Sequence, residues 1–263
     1  MEKSKIKISF LITHYNRPDD LFQCISGIQN LKIANYEIVV SDDGSTAENI
    51  KLIENDAIDK LILAPKNQGL AANINKGIKA CEGEYIVYCQ EDFVLDANLS
   101  TSLPECIDLL KSNKVDMVRF TSNVVFTKLL PLTQGIDLIP KFSFKNFQTN
   151  YYQYSDHPFI VKKNFYETYG YYLENTSGRY GETEYAIRIL KSKAKIGMTK
   201  KVFASVVDGS ISVLANESGQ KNKKVKLFKP MLKLVRAFRL YLECLLYNKT
   251  KRGLLTYKNF RIN

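Results

Sequence analysis

Along the first hundred residues, short β-rich apolar runs that end in polar residues alternate with stretches of helical spacing. Residues 5–13 (KIKISFLIT) predict a buried strand, and Pro18 opens a helix with Leu21, Ile25 and Ile28 on one face. YEIVVS at 36–41 predicts a second strand, stopped by Asp42-Asp43-Gly44-Ser45. Ser45 or Thr46 can then cap a helix running through Ile50 and Ile53. Leu61 to Leu63 reads as a third strand, with a turn over Pro65–Gly69 and a helix over 70–81. EYIVYC at 84–89 is a fourth, ending at Gln90-Glu91-Asp92. This order predicts an α/β fold with a mostly parallel, doubly wound sheet flanked by helices. Between 99 and 150 the pattern is mixed, a helix near 103–111 followed by aromatic strands and loops.

Composition changes the picture mainly through where the charge lies. The net charge is +11, yet thirteen of the 38 Lys/Arg and only Glu243 of the 27 Asp/Glu fall in 221–263. The preceding residues carry 25 basic against 26 acidic groups, so a nearly neutral body bears a basic tail. The expected organisation is a body over 1–220, in halves 1–100 and 101–220, followed by the tail. The five cysteines are scattered with no C-x-x-C pair, which fits a reducing compartment rather than a disulfide framework. Residues 1–7 lack the apolar stretch of a signal peptide, and no uncharged apolar run approaches the roughly 18 residues of a membrane span. The expectation is a cytoplasmic protein.

The candidate chemistry sits at strand ends, where doubly wound sheets bind ligands. Those ends carry Thr13-His14-Tyr15, Asp42-Asp43 and Glu91-Asp92. Carboxylates at such an edge, completed by water and phosphate oxygens, suit Mg²⁺ or Mn²⁺. Neither G-x-G-x-x-G nor a Walker A loop occurs, which counts against a dinucleotide dehydrogenase or a P-loop enzyme. A diphosphate here is expected to be neutralised mainly by the metal.

Four stretches, ISFLITHYNRPDDL, YEIVVSDDGST, NQGLAANINKGI and GEYIVYCQEDFVLDANL, resemble in order and spacing the nucleotide-binding half of family 2 glycosyltransferases. The resemblance implies a Rossmann-like GT-A fold and inverting transfer from a nucleotide diphosphate sugar. It places Thr13, Tyr15, Asp42 and Asp43 around base and ribose, with Asn67, Asn75 and Glu91 also on the nucleotide side. Gln90-Glu91-Asp92 stands where the family has D-x-D, so Asp92 is the expected metal ligand, and Gln90 replaces the first acid. The frequent Arg of the family's second helix is Ile74 here. Asp208, in VVDGSIS, lies where many relatives have a His near the metal, and a plain turn aspartate is the competing reading.

Residues 157–197 resemble the family's acceptor-side segment, in which an acid precedes an Arg by six residues. Glu182 and Arg188 have that spacing, so Glu182 is the expected base for the acceptor hydroxyl, with Glu184 its competitor. The family usually has Asp there. Both glutamates also suit a helix N-terminus on electrostatic grounds alone. Asp156 and His157 are candidate acceptor-pocket residues, and His14 a structural one. The aromatic cluster Phe142, Phe144, Phe147, Tyr151, Tyr152 and Tyr154 reads first as packing and second as a sugar platform.

In the tail, Lys226, Lys229, Lys233, Arg236, Arg239 and Glu243 recur at helical intervals, predicting an amphipathic helix across 225–247. Its wide apolar face can pack on the body, but the flanking KNKKVK and NKTKR clusters favour an anionic membrane surface, at about 1 kcal/mol per Lys or Arg. The expected partners are a nucleotide sugar, a glycan or lipid-linked acceptor, and the inner face of a membrane. Cell-surface polysaccharide assembly is the expected setting. Competing readings are a sugar-1-phosphate nucleotidyltransferase, whose Gly-rich loop is replaced here by HYNRPDD, and a nucleotide-sugar-binding relative without transfer. A basic nucleic-acid-binding protein is disfavoured, because the charge is confined to the tail.

Overall fold

The computed structural model describes residues 7–54, 57–122, 124–176, 178–207, 229–248, 251–252 and 255–256. Its strands are β1 (Ile8–His14), β2 (Tyr36–Asp42), β3 (Lys60–Leu63), β4 (Tyr85–Gln90), β5 (Phe93–Leu95) and β6 (Met117–Arg119). They continue with β7 (Leu130–Pro131), β8 (Ile136–Ile139), β9 (Phe159–Lys162), β10 (Ile196–Thr199) and β11 (Ala204–Val206). The helices are α1 (Pro18–Gln29), α2 (Ala47–Ile53), α3 (Leu70–Ala80), α4 (Leu99–Lys111), α5 (Phe165–Tyr169), α6 (Gly178–Lys191) and α7 (Lys229–Leu245). The four strands expected in the first hundred residues are all present, as are their helices.

Nine strands form one sheet in the order β3-β2-β1-β4-β9-β6-β10-β8-β7. The first four are parallel, as expected, while β9 runs antiparallel between β4 and β6. That reversal matters for the site. Thr13 pairs with Ser41 and Gln90, so the carboxyl ends of β1, β2 and β4 finish at one level. Phe159, the first residue of β9, pairs with both Tyr88 and Arg119. The segment entering β9 therefore emerges at the same edge as the ends of β4 and β6. The sequence pattern did not reveal this reversal, because a four-residue strand such as β9 shows too little periodicity to assign.

Helices cover both faces, which explains why the central strands read as continuous apolar runs. Phe10, Ile12 and Val40 pack with Leu21, Cys24, Ile25 and Ile28 of α1 and Leu103, Cys106 and Leu110 of α4. Leu11 and Val39 face the other way, against Ile74 and Ile78 of α3 and Tyr185 and Ile189 of α6. Gly77 permits the close seat of α3, since a Cβ there would meet Leu11 Cδ1 at 2.3 Å. The cap of α2 is Thr46, whose hydroxyl accepts the Asn49 N–H at 3.4 Å. Four of the five cysteines are buried as free thiols and Cys244 is half-buried.

Helix α7 lies within the expected tail and packs on the body through Ala237, Leu240 and Tyr241. The basic cluster at 221–226 lies outside the described residues. Among the described residues no helix is long and apolar enough to cross a membrane.

Candidate active site

The donor end is built around a turn after β2. Asp42 accepts the N–H groups of Gly44 and Ser45 on Oδ1 (2.9 and 2.8 Å), and His14 and the Ser45 hydroxyl on Oδ2. Four hydrogen bonds fill the lone pairs of a carboxylate. Burial works against its charge, but the bonds from His14 and Ser45 prevail and hold its pKa below the ordinary value. Asp42 thus shapes the turn and has no lone pair left for a ribose, a correction to the expected role. His14 is likewise committed, with Nδ1 on Asp42 at 2.8 Å and Nε2 accepting the Arg17 N–H at 3.1 Å. Its tautomer is therefore Nδ1–H, and its role structural.

Asp43 accepts the N–H groups of Gln68 and Gly69, both at 2.9 Å, which draws the turn before α3 against β2. The contact is close enough to require glycine at position 44, where φ is +78° and a Cβ would meet the Lys66 carbonyl carbon at 2.4 Å. Burial pushes the Asp43 pKa up. Asn67 folds back to accept the Gly69 N–H at 3.1 Å. The Thr13 hydroxyl meets the Tyr88 hydroxyl at 3.3 Å, and Tyr15 stands exposed just beyond β1.

Asn75 corrects a second expectation. It is buried away from the edge, donating to the Tyr172 carbonyl (2.9 Å) and Glu174 (2.8 Å) and accepting the Tyr172 N–H (2.9 Å). It clamps α3 to the acceptor-side half and spends both of its N–H donors there. One residue on, Lys76 places its Nζ 2.6 Å from the Asp42 carbonyl oxygen. Burial lowers its pKa, and the charges of Asp43 and Asp42 oppose that fall. Lys76 supplies a cation at the donor edge that Ile74 does not. It was missed because Lys76 reads as an ordinary polar position on an amphipathic helix.

Beyond β4, Asp92 has one carboxylate oxygen, Oδ1, buried with no hydrogen-bond partner, while Oδ2 lies 3.8 Å from Arg17. Burial pushes its pKa up against the pull of Arg17. The neighbouring Glu91 is pushed to about 8, by burial and then by the charge of Asp92. Burial thus disfavours the charge of both adjacent carboxyls, a cost that a bound cation would offset. The described residues contain no cluster of three His, Cys, Asp or Glu side chains that could hold a metal. Mg²⁺ and Mn²⁺ need no such cage when one or two carboxylates and a diphosphate complete the shell. The Asp92–Glu91 pair fits a divalent cation of that kind. Asp208 lies outside the described residues; the Val207 N–H, just before it, donates to the Asp92 carbonyl at 2.8 Å.

The acceptor end is organised by Arg119, which sequence reasoning did not single out. It ends β6 fully buried, donating to the carbonyls of Tyr152 and Gln153 and to the Ser155 hydroxyl. Ser155 in turn meets His157 Nδ1 at 2.8 Å. Burial, reinforced by the charge of Arg119, lowers the His157 pKa to about 4, so the ring is neutral, and it packs edge-on against Phe93 next to Asp92. The Asp156 N–H donates to Glu182 Oε1 at 3.4 Å. Burial pushes Glu182 up, opposed by that N–H and by the charges of Arg119 and Arg236. Asp156, hydrogen-bonded by the Tyr154 hydroxyl at 2.5 Å, is pushed well above its ordinary value by burial and by the charge of Glu182. Gln90 joins the two ends through its amide, 3.5 Å from the Asp156 carbonyl.

Geometry separates the two glutamates of α6. Glu184 is buried, binds Arg188 through both oxygens (3.1 and 2.6 Å) and accepts the Tyr247 hydroxyl at 2.7 Å. Arg188 also donates to the Tyr171 carbonyl at 2.6 Å, so this pair is structural. Glu182 is only partly buried and, among the described residues, carries no such ion pair through both oxygens. In the aromatic cluster, Phe142, Phe147 and Tyr151 pack on Tyr241 of α7, and Tyr154 is buried against Tyr172 and Tyr185. Packing accounts for these rings.

A parallel α/β sheet with carboxylates at one edge and an antiparallel insertion beside it is the fold of GT-A glycosyltransferases. Staphylococcus aureus TarS 1–349 in complex with UDP-GlcNAc superposes with a TM-score of 0.62 at 14% identity, over 91% of this chain and 72% of that one. Mannosyltransferase PcManGT from Pyrobaculum calidifontis, in complex with GDP-Man and Mn²⁺, gives 0.57 at 15% identity, over 90% and 70%. The family model for glycosyl transferase family 2 matches residues 9–169, and the chain belongs to that family. A cholesterol galactosyltransferase of Borreliella burgdorferi is 30% identical over 152 residues, 54% of this chain and 41% of that protein. An uncharacterized glycosyltransferase of Haemophilus influenzae is 36% identical over 101 residues, 36% of this chain and 40% of that protein. A GalNAc(5)-diNAcBac-PP-undecaprenol beta-1,3-glucosyltransferase of Campylobacter jejuni is 31% identical over 101 residues, 36% and 33%. The chain spans less than half the length of these three relatives.

Proposed function

We propose that this chain transfers a sugar, with inversion, from a nucleoside diphosphate donor to a glycan or lipid-linked acceptor. The observation that carries this reading is the pairing, at one sheet edge, of an unpartnered buried oxygen on Asp92 with a partly buried Glu182 aimed by Asp156. The donor lies across the ends of β1, β2 and β4, with Thr13, Tyr15 and Asp43 around the nucleoside and Lys76 near the diphosphate. Asp92, helped by Glu91, holds a divalent cation, which when bound offsets the charge developing on the leaving diphosphate. Glu182 accepts the proton of the acceptor hydroxyl as that oxygen bonds to the anomeric carbon and the bond from that carbon to the diphosphate breaks. Arg119, buried behind Glu182, favours its ionised form. The nucleotide complexes of TarS and PcManGT and the Mn²⁺ of the latter support the donor class and the metal. The names of the relatives support a place in polysaccharide or lipid-linked glycan assembly. The basic tail supports work at the inner face of a membrane, from the cytoplasmic side.

The test is thermal unfolding with UDP-, GDP-, CMP- and dTDP-sugars, each with and without Mn²⁺, on the wild type and on Asp92→Ala. A metal-dependent rise with one nucleotide class, lost in the variant, is the expected result. A folded wild type that responds to no donor overturns the reading.

A further inference from the structure

Helix α7 is fastened to the acceptor end of the molecule at several points. The Tyr241 hydroxyl donates to the Phe147 carbonyl (2.8 Å) and accepts from Asn150 (2.9 Å). Lys191 reaches the Cys244 carbonyl (3.0 Å), and just past the helix Tyr247 holds Glu184, two residues from Glu182. The opposite face is open. Met231, Val235, Phe238, Leu242 and Leu245, at alternating intervals of four and three, form one exposed apolar stripe, widened by Leu234. Soluble surfaces rarely carry a stripe of this kind unless something covers it. Its flank carries Arg236 and Arg239, three residues apart and exposed between the stripe and the body, with Arg239 paired to Glu243 at 3.5 Å and Arg236 the cation in excess. Arg236 sits over the Tyr152 ring, 5.8 Å from its centroid, and the Tyr152 carbonyl is held by Arg119 on its inner side. Two arginines thus bracket one residue beside Glu182, the inner one buried and bonded to protein carbonyls and a hydroxyl, the outer one exposed.

We propose that the outward face of α7 seats on an anionic lipid surface and that Arg236 takes the phosphate of a lipid-linked acceptor, setting its sugar hydroxyl towards Glu182. An apolar stripe with a cationic flank is complementary to a layer of acyl chains beneath anionic headgroups. Arg is suited to the phosphate because its planar fork donates to two oxygens at once. The inference rests on the reading of Glu182 as the acceptor-side base, and it adds the acceptor's anionic linkage and the residue that reads it.

The full chain is to be sedimented with vesicles of phosphatidylcholine, of equal parts phosphatidylcholine and phosphatidylglycerol, and of phosphatidylcholine carrying either farnesyl phosphate or farnesol. The expected result is binding to the phosphatidylglycerol vesicles that Val235→Ser/Leu242→Ser abolishes; both positions are exposed, so the fold is spared. Farnesyl phosphate should raise binding over farnesol, and Arg236→Gln should lose about tenfold of that increment, the scale of one charge-assisted phosphate contact, while keeping its phosphatidylglycerol binding. Equal binding of wild type and Arg236→Gln to the farnesyl phosphate vesicles overturns the phosphate assignment, and wild type that ignores phosphatidylglycerol overturns the docking face. Thermal shift with donor and Mn²⁺ on the same samples keeps the two readings apart. A normal donor response without vesicle binding sinks this proposal alone, and vesicle binding without a donor response sinks the transferase reading alone.

Discussion

The backbone N–H of Asp156 points at Glu182 Oε1, 3.4 Å away, so the candidate base is aimed by the segment that Arg119 pins from inside the protein. The side chain of Asp156 lies in the same pocket and is pushed well above its ordinary pKa by burial and then by the charge of Glu182. The charge of Glu182 thus disfavours ionisation of Asp156, while the charge of Arg119 favours an ionised Glu182.

Glu182→Gln should lower transfer by about 10²–10⁴-fold, the usual worth of a positioned base, and leave the donor-dependent thermal shift intact. Glu184→Gln should behave in the opposite way. It breaks a buried pair with Arg188, at a cost of about 3–5 kcal/mol, and the loss should appear in a urea melt. Matching effects of the two substitutions on turnover per folded molecule would overturn the division of roles.

The pH profile of turnover carries a second signature. A base must be ionised to work, and burial raises the Glu182 pKa, so the acid limb of kcat should lie above that of an ordinary glutamate. Arg119→Met removes a charge that opposes that rise and should move the limb further up, whereas Arg119→Lys should hold it near the wild-type position. An unmoved limb in folded Arg119→Met protein would remove Arg119 from the site.

Asp92→Asn should leave the free protein as stable as the wild type or slightly more so, since it removes a carboxylate whose charge burial disfavours. The stabilisation by donor and Mn²⁺ should vanish. A loss of stability in the free variant would show that Asp92 serves the fold rather than a cation.

Acid stability should depend on Glu37, which is buried and bonded by Ser9, the Glu82 N–H, Lys60 and Lys7. Burial opposes its charge, yet those bonds prevail and lower its pKa to about 2. A carboxylate depressed on folding adds stability that is complete above its unfolded value of about 4.3 and disappears as pH falls through about 2. Urea midpoints measured across that window should decline in the wild type and flatten in Glu37→Gln.

The sequence was most readable where its elements are long. Each strand of the first hundred residues is flanked by a helix with an unmistakable apolar face, so Ile74 and Ile78 announce α3 as surely as Leu21 and Ile25 announce α1. The donor carboxylates were readable for the same reason, since an acid that ends an apolar strand must sit at the sheet edge. Arg119 was not readable, because an arginine closing a three-residue strand looks like any polar stop until β9 is known to turn back beside it. Asn75 was misread for a related reason: its partners, Tyr172 and Glu174, lie nearly a hundred residues away. Local pattern carries no information about such a contact. The division between Glu182 and Glu184 likewise needed three dimensions, since Tyr247 reaches Glu184 from 63 residues further along the chain.

The three hydrogen bonds of Asn75 also set a rule for recombining this chain with its relatives. A chimaera that exchanges the donor half at residue 100 imports a foreign α3, and any side chain other than a matching amide at position 75 leaves the Tyr172 amide and carbonyl bare. Donor preference is therefore not a cassette to be swapped alone. The exchangeable block must run on through Glu174, taking β9 and its entering segment along, and a library that respects this boundary should yield far more folded members than one cut at the apparent midpoint.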